Sequence, residues 1–232
     1  MTQNCTRALR IAIDGPAGAG KSTVARRLAK ILGYTYIDTG GMYRAITLKA
    51  ARHGLGPEDQ SEIISLAQSS DIRLLQDPAG GARVILDGSD VTREIRSPMV
   101  NSMVSPVSAI PELRDLLVET QRSLAQAGGV VMEGRDITTV VLPDAEVKIY
   151  LDASREERAL RRTKELRLSG YDASVEDTLN EIASRDTTDS SRSVAPLRRS
   201  PDATVVDTTG IGIDEVVERI LDIVRKVEAN RV

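Results

Sequence analysis

A glycine-rich segment near the amino terminus carries residue types that bind nucleotide phosphates. It reads Gly15-Pro16-Ala17-Gly18-Ala19-Gly20-Lys21-Ser22-Thr23 and contains the spacing Gly-x4-Gly-Lys-Ser. Glycines let backbone N–H groups turn toward phosphates, the lysine reaches the β- and γ-phosphates, and the Ser22 hydroxyl can ligate Mg²⁺. The segment therefore predicts a P-loop that binds ATP together with Mg²⁺, rather than a chance glycine-rich turn.

The P-loop alone does not define the second substrate. GTPases, motor ATPases and small-molecule kinases share this loop. The sequence has no guanine signature of the NKxD type, and 232 residues are too few for a motor. These observations favour a small kinase.

Four groups rich in arginine lie outside the P-loop and could bind the phosphate of a second substrate. Arginine suits this role because its planar guanidinium binds phosphate through two N–H groups and keeps its charge. The groups are Asp38-Thr39-Gly40-Gly41-Met42-Tyr43-Arg44, Glu133-Gly134-Arg135-Asp136, Arg185 with Asp189 and Arg192, and Arg155 with Arg158, Arg161 and Arg162.

Each group also has a purely structural interpretation. A charged run on a helix is usually a solvated face, and Glu156 or Glu157 could simply pair with the arginines of the last group. Arg135 and Asp136 are stronger candidates because they directly follow a predicted buried strand. Ligands of parallel sheets bind at the carboxyl ends of the strands.

Alternating strands and helices predict the framework that positions these residues. We predict strands at 9–13, 34–37, 130–132, 147–151 and 204–207, and helices at 24–32, 42–52, 111–127, 155–168, 175–185 and 213–227. Repeated β-α units favour an α/β fold with a five-stranded parallel sheet and helices on both faces.

The segment from about 70 to 107 interrupts this alternation. Residues 71–75 and 82–86 resemble strands that flank a turn at 77–81, and residues 87–90 form another turn signal. A helical piece is expected at about 98–104. The segment therefore predicts a small antiparallel insert.

Composition excludes several classes of function. The chain has no Phe or Trp, 5 Tyr and a net charge of -3, so a nucleic-acid partner is not expected. The only histidine, His53, is predicted at the end of a helix, which argues against a Ser-His-Asp triad or a multi-histidine metal site. The only cysteine, Cys5, permits no internal disulfide. No signal peptide or membrane span is evident, which predicts a cytoplasmic protein.

The combined motifs resemble those of bacterial cytidylate kinases, a P-loop nucleoside-monophosphate kinase family. The matching features are the P-loop, Asp38-Thr39-Gly40-x-x-Tyr43-Arg44, Gly134-Arg135-Asp136, Arg185-Asp189-Arg192 and Val194-Ala195-Pro196-Leu197, in that order. The resemblance runs from about 11 to 224. It implies transfer of the γ-phosphoryl group of ATP to CMP or dCMP in pyrimidine nucleotide metabolism.

The resemblance also implies residue roles. Lys21 and Arg135 would act on the transferring group, and Tyr43 belongs to the CMP-binding motif. The CMP phosphate would be held by Thr39, Arg44, Arg135 and Arg192. Cytosine would be recognised by Ser105, Arg114 and Asp136, and the ribose by Arg185 and Asp189. Arg158, Arg161 and Arg162 would belong to a catalytic lid that closes over ATP.

The implied architecture is a single three-layer P-loop kinase unit. The core would comprise 9–65 and 108–232, with a monophosphate-binding insert at about 66–107 and a helical lid at about 155–192. We expect a monomer. Two departures from the family pattern are visible: Glu133 stands where Asp is more usual, and Ala17 where some members have Ser. The first leaves open whether this carboxylate reaches a Mg²⁺-bound water.

Alternatives remain open from sequence. The chain could phosphorylate another acceptor, such as UMP or shikimate, or could be a regulatory module that binds a nucleoside triphosphate without transfer. The arginine groups argue against the regulatory module, which needs no second phosphate site. Asp136 could also serve only to pair with Arg135 or a neighbouring arginine.

Overall fold

A five-stranded parallel sheet forms the centre of the computed structural model, which describes residues 8–77 and 81–231. The strands in chain order are β1 (Arg10–Asp14), β2 (Thr35–Asp38), β3 (Ile72–Gln76), β4 (Ala82–Leu86), β5 (Ser89–Asp90), β6 (Val130–Gly134), β7 (Val147–Asp152) and β8 (Thr204–Asp207). The central sheet has the order β2-β6-β1-β7-β8, and each neighbouring pair is parallel. The predicted α/β class and five-stranded parallel sheet are confirmed.

Helices cover both faces of this sheet. They are α1 (Lys21–Leu32), α2 (Thr39–Arg52), α3 (Gln60–Gln68), α4 (Pro98–Val107), α5 (Pro111–Leu124), α6 (Arg155–Leu168), α7 (Val175–Ser191) and α8 (Ile213–Ala229). Ile11 and Ile13 of β1 pack against α1 and α8 on one face. Ala12, between them, belongs to a separate hydrophobic cluster that includes Val118 of α5, as the alternation of side chains along a strand requires.

Several helix bounds differ from the sequence prediction. α2 begins at Thr39 rather than at 42, because the Asp38 side chain accepts a hydrogen bond from Gly41 N at 2.9 Å and caps a first turn that contains Gly40 and Gly41. α1 begins at Lys21 rather than at 24, α5 ends at Leu124 rather than at 127, and α7 continues to Ser191 rather than to 185. Helix α3 was not predicted.

The predicted insert contains a second, antiparallel sheet of order β3-β4-β5. Residues 87–90 were predicted as a turn only, but Ser89–Asp90 form β5 after a turn in which Asp87 and Gly88 have positive φ. Part of the predicted turn at 77–81 lies outside the described residues. Val84 and Leu86 of β4 pack with Ala45 and Leu48 of α2, which fixes the insert beside that helix.

Two further predictions concern single residues. His53 lies at the carboxyl end of α2 with Nδ1 2.9 Å from Lys49 O, which confirms its helix-end position. Cys5 lies outside the described residues. Within residues 8–77 and 81–231, no helix is both long and apolar enough to cross a membrane.

Candidate active site

The carboxyl ends of β1, β2 and β6 open into one cavity of about 520 Å³. These strands are adjacent, with Asp14 of β1 paired to Gly134 of β6 and Asp38 of β2 paired to Glu133. The P-loop follows β1, and the first two arginine groups predicted from sequence begin in the last residues of β2 and β6. The fold therefore brings together motifs from residues 15–23, 38–44 and 133–136, at the edge where parallel sheets bind ligands.

Nearly all predicted site residues line this cavity. They are Ala17, Gly18, Ala19, Gly20, Lys21, Ser22, Thr23, Thr39, Tyr43, Arg44, Ser105, Arg114, Arg135, Asp136, Arg161, Arg162, Arg185, Asp189 and Arg192. Gly15, Pro16 and Arg158 are not among the lining residues.

The backbone of the P-loop needs glycine at two positions. Gly15 has φ +149°, and a Cβ there would lie 2.0 Å from Leu151 O, so no side chain fits beside β7. Gly18 has φ +78°, and its Cβ would lie 2.9 Å from the Cβ and O of Arg158. The loop therefore packs directly on β7 and on α6, and the amino terminus of α1 opens toward the cavity.

Lys21 is buried at the base of this loop. Its Nζ donates to Pro16 O at 2.8 Å. Burial and the nearby charge of Arg135 lower the pKa of Lys21 to about 7, although Glu133 and Asp14 oppose the shift. An anionic phosphate would restore the charged form, because an opposite charge favours ionisation.

The end of β6 is held by hydrogen bonds to β2 and to the start of α2. The Tyr36 hydroxyl donates to Glu133 Oε1 at 2.9 Å, and the Thr39 hydroxyl donates to Glu133 O at 2.7 Å. Burial and the Glu133 charge raise the pKa of Tyr36 well above its ordinary value, so this hydroxyl remains a donor. Glu133 is thus a fixed, buried carboxylate in the wall of the cavity.

Asp136 and Arg114 form a buried ion pair at one end of the cavity. Arg114 Nη1 also donates to Ser108 O at 3.0 Å, and its guanidinium carbon lies 5.4 Å from the centroid of the Tyr43 ring. These contacts fix the guanidinium, which in turn fixes one oxygen of Asp136. The carboxylate therefore faces the cavity in a defined orientation.

A third buried carboxylate, Asp189, links three elements. Ser105 Oγ of α4 donates to its Oδ1 at 2.7 Å, and Arg135 Nε donates to its Oδ2 at 2.9 Å. Although burial opposes ionisation, the charges of Arg135 and Arg185 lower the pKa of Asp189 to about 2. Asp189 is therefore ionised at neutral pH.

Three arginines present buried N–H groups without a hydrogen-bond partner in the described part of the chain. These are Arg162 Nη2, Arg185 Nε, and Nε and Nη2 of Arg192. Burial, together with Arg185, Arg162 and Arg96, lowers the pKa of Arg44 to about 9. A cluster of buried, unpaired donors on mutually repelling cations is costly without an anion. The cavity is therefore suited to a polyanionic ligand.

The arginines of α6 have different surroundings. Arg158 is buried and donates to Ala17 O at 3.0 Å and to both oxygens of Asp186, so it ties α6 to the P-loop and to α7 instead of facing the cavity. Arg161 lines the cavity and donates to Thr208 Oγ1 and O. Arg162 pairs with Glu165 at 2.8 Å. The structure thus separates Arg158 from the two arginines that were predicted to act with it.

Sequence reasoning missed several lining residues. Arg96, in a short 3₁₀ turn of the insert (Glu94–Arg96), pairs with Asp38 at 3.2 Å. The loop before α8 contributes Thr208 and Ile211, and the first residue of α8, Ile213, also lines the cavity. The signal that could have indicated Arg96 is its position as an arginine within the predicted insert. The loop before α8 carries no motif that could have indicated its lining residues.

Comparisons with known proteins address the family to which the chain belongs. A profile of the cytidylate kinase family matches residues 11–226. A cytidylate kinase of Caldanaerobacter subterraneus is 54% identical over 218 residues, covering 94% of this chain and 95% of the relative. A cytidylate kinase of Symbiobacterium thermophilum is 55% identical over 216 residues, covering 93% and 96%.

A solved structure shows similarity of fold alone. The crystal structure of an uncharacterized protein from Eubacterium ventriosum aligns with a TM-score of 0.53 and 12% identity, covering 94% of this chain and 98% of that one. The family assignment rests on the sequence relatives and on the profile, which spans nearly the whole chain. The chain belongs to the cytidylate kinase family.

Proposed function

We propose that this chain transfers the γ-phosphoryl group of ATP to CMP or dCMP, giving ADP and CDP or dCDP. The observation that carries the proposal is that Lys21 of the P-loop and the Arg114-bound carboxylate of Asp136 line the same cavity. Relatives that are about half identical over most of the chain are cytidylate kinases. The acceptor is therefore expected to carry cytosine.

ATP would bind with its phosphates in the P-loop. The backbone N–H groups of the loop and the start of α1 favour anions, and Lys21 would contact the β- and γ-phosphates. Arg161 and Arg162 lie on α6 at the border of the cavity, where they could contact the nucleotide as the lid closes.

The donor set fits Mg²⁺ bound mainly by the substrate. No group of three or more His, Cys, Asp or Glu residues in 8–77 and 81–231 could hold a metal ion alone. Mg²⁺ usually keeps several waters and binds through substrate phosphates with few protein ligands. Ser22 would supply a hydroxyl ligand, and Glu133 could hold a metal-bound water. The ion would neutralise charge on the transferring phosphates.

The monophosphate would occupy the arginine-lined end of the cavity. Arg185 and Arg192 present buried N–H groups that have no hydrogen-bond partner among residues 8–77 and 81–231, and Arg44, Arg135 and Thr39 line the same space. We propose that the phosphate of CMP is held by Thr39, Arg44, Arg135 and Arg192, with Arg185 and Asp189 at the ribose. A bound phosphate would relieve the repulsion among these arginines.

Cytosine would be recognised by Asp136. Its exocyclic amino group can donate to the carboxylate, whereas uracil presents a carbonyl oxygen at that position. Arg114 would orient Asp136 for this contact, so the pairing of Asp136 with a neighbouring arginine is compatible with base recognition. Ser105 would complete the base site once it is released from Asp189.

Transfer would be direct, from the γ-phosphoryl group to a phosphate oxygen of the acceptor. That oxygen is already anionic, so no general base is required, and catalysis depends on positioning and charge neutralisation. Residues 66–107 are proposed as the monophosphate-binding insert and 155–192 as the lid. We also propose that the protein acts as a monomer.

An ADP-release assay tests this function across a panel of acceptors. CMP and dCMP should be phosphorylated with kcat/KM at least about a hundredfold above that for UMP, because a buried carboxylate would face uracil's oxygen unpaired. Shikimate, which lacks a phosphate, should be inactive. ADP release that is equal with and without any monophosphate would contradict the proposal and favour a nucleotide-binding module.

A further inference from the structure

Asp14 is a completely buried carboxylate that has no role in the chemistry proposed above. It is the last residue of β1 and immediately precedes Gly15 of the P-loop. Carboxylates at zero exposure are uncommon, because removing the charge from water costs free energy unless its oxygens are hydrogen-bonded. Its contacts therefore indicate what it does.

Both oxygens of Asp14 accept hydrogen bonds from the segment that follows β6. Oδ1 accepts from Ile137 N at 2.8 Å, and Oδ2 accepts from Thr138 N at 2.8 Å and from Thr138 Oγ1 at 2.6 Å. These donors lie 123 and 124 residues away along the chain. Asp14 thus joins the start of the P-loop to the residues directly after Asp136.

The bonded segment is an irregular turn that is not positioned by regular helix geometry. Ile137–Val141 form a single π-helical turn in which Val141 N and Leu142 N bond to the carbonyls of Asp136 and Ile137. The first N–H groups of such a turn lack partners within it. The carboxylate of Asp14 satisfies them and thereby fixes where the turn begins.

Only a carboxylate meets all of these donors. A neutral amide offers one oxygen, and its NH₂ group would face an N–H or O–H donor. Burial raises the pKa of Asp14 to about 6, against the hydrogen bonds from Thr138 and Ile137 that favour the ionised form. At neutral pH the group is therefore an ionised acceptor.

We propose that Asp14 is a positioning residue that fixes the π-helical turn after Asp136 relative to the P-loop. It thereby holds Arg135 and Asp136 of the acceptor site at a set position relative to the ATP site. This inference rests on the proposed role of Asp136 in base recognition. Gly15 is confined on the other side, since a Cβ added to it would lie 2.0 Å from Leu151 O. A shift of the turn would therefore displace Asp136 and Arg135 from the acceptor without moving the ATP loop.

Three variants and one reference test the inference. Asp14→Asn removes an acceptor atom from this network, and Thr138→Val removes a donor atom. Thr138→Ser keeps the hydroxyl and is the matched control for Thr138→Val. Asp136→Asn is the reference for direct loss of base recognition. Steady-state kinetics would give KM for CMP and for ATP and the CMP-to-UMP ratio of kcat/KM, with Tm measured alongside.

We expect Asp14→Asn to raise KM for CMP by on the order of tenfold to a hundredfold and to narrow the CMP-to-UMP ratio of kcat/KM, because a misplacement of about 1 Å can cost about a hundredfold. KM for ATP should change less. Thr138→Val should show the same pattern more weakly, and Thr138→Ser should keep the wild-type ratio. If Asp14→Asn does not fold, the CMP-to-UMP ratios of Thr138→Val and Thr138→Ser still test the inference.

A purely structural role gives a different pattern. It would lower Tm in Asp14→Asn and Thr138→Val while the CMP-to-UMP ratio stays at the wild-type value, and that result would overturn the inference. An unchanged ratio in Asp136→Asn would instead contradict base recognition by Asp136, and the inference would fail with it.

Discussion

Ser105 of α4 and Asp189 of α7 are joined by a 2.7 Å hydrogen bond between the serine hydroxyl and Oδ1. The other carboxylate oxygen accepts from Arg135 Nε, so Asp189 holds two residues that the family resemblance assigns to the base and to the phosphate. The residues proposed to contact cytosine, ribose and phosphate are thus hydrogen-bonded to one another. In the proposed mode of binding, binding of CMP would exchange some of these bonds for bonds to the substrate.

The ribose assignment predicts a change in the preference between CMP and dCMP. Asp189→Ala should lower kcat/KM for both CMP and dCMP, because it also releases Ser105 and Arg135. The loss should be larger for CMP if Asp189 contacts the 2′-OH. Arg185→Ala should also lower both values but should change the ratio of CMP to dCMP differently. The ratio of kcat/KM for CMP over dCMP is the measurement.

Ser105→Ala is the matched comparison for Asp189. It removes one hydrogen bond to the carboxylate while leaving the carboxylate in place, so it should lower activity with CMP and dCMP by similar factors. Equal losses for the two substrates in Asp189→Ala would show that the ribose assignment is wrong.

Lys21 is predicted to be essential for transfer but not for folding. Lys21→Ala should lower kcat by on the order of 10³-fold, or ~4 kcal/mol, because a cation that contacts developing charge contributes this much. Its Tm should stay near wild type, since burying a lysine is costly. Lys30→Ala, an exposed position in the last turn of α1, is the control. A Lys21 variant with a tenth of wild-type activity would refute the P-loop assignment.

The depressed pKa of Lys21 predicts proton uptake on binding of ATP. With a pKa of about 7 in the free protein, Lys21 is only about one-tenth protonated near pH 8, and a bound triphosphate raises this pKa toward its usual range. Binding at about pH 8 should therefore take up close to one proton, and the uptake should disappear well below pH 7, where the lysine is already charged.

Isothermal titration in two buffers with different ionisation enthalpies measures this uptake. Lys21→Met should remove it, whereas the surrounding charges of Arg135, Arg185, Glu133 and Asp14 remain in place. Uptake of the same size in the variant would assign the proton to another group.

The sheet and the P-loop could be predicted from sequence because both depend on local patterns. Short apolar runs followed by helical periods gave the five parallel strands, and the Gly-Lys-Ser spacing gave the phosphate loop. Helix starts were less accurate, since Gly40 and Gly41 have low helix propensity and only the Asp38 cap shows where α2 begins. The π-helical turn after Asp136 has no recognisable period.

The pairing of side chains could not be predicted in the same way. Arg158 and Arg161 are three residues apart on α6, yet one is buried against Ala17 and Asp186 and the other lines the cavity. The difference depends on α7 and on the P-loop, which are distant in sequence. Asp14 was not recognised either, because its partners lie more than one hundred residues away.

Arg96 is predicted to contribute to binding of the monophosphate. Arg96 lines the cavity, and its Nη2 donates to Asp38 Oδ2 at 3.2 Å. A guanidinium carries five N–H groups, so others can bind a phosphate. Arg96→Ala should raise KM for CMP by roughly tenfold, in the range of one charge-assisted hydrogen bond, with little effect on KM for ATP. Arg93→Ala, an exposed neighbour in the same insert, should leave both constants unchanged. If both substitutions raised KM for CMP equally, Arg96 would act only through the overall positive charge of the insert and not through a direct contact with the phosphate.

The last prediction concerns why the base should be cytosine. Asp136 is buried and bound by Arg114, which holds one oxygen and leaves the other available to an amino donor. Asp136→Asn keeps the size of the side chain but adds a donor, which suits uracil's oxygen better than cytosine's amino group. The substitution also leaves Arg114 without its ionic partner, so some general loss of activity is expected.

Activity of Asp136→Asn with CMP should therefore fall. The gap in kcat/KM between CMP and UMP, which can reach about 10⁴-fold in sites built on such a hydrogen bond, should narrow. Arg114→Lys, which keeps the charge but not the paired N–H geometry, should narrow the gap less. If kcat/KM for CMP and UMP fell by the same factor in Asp136→Asn, Asp136 would only support Arg114, and another residue would have to recognise the base.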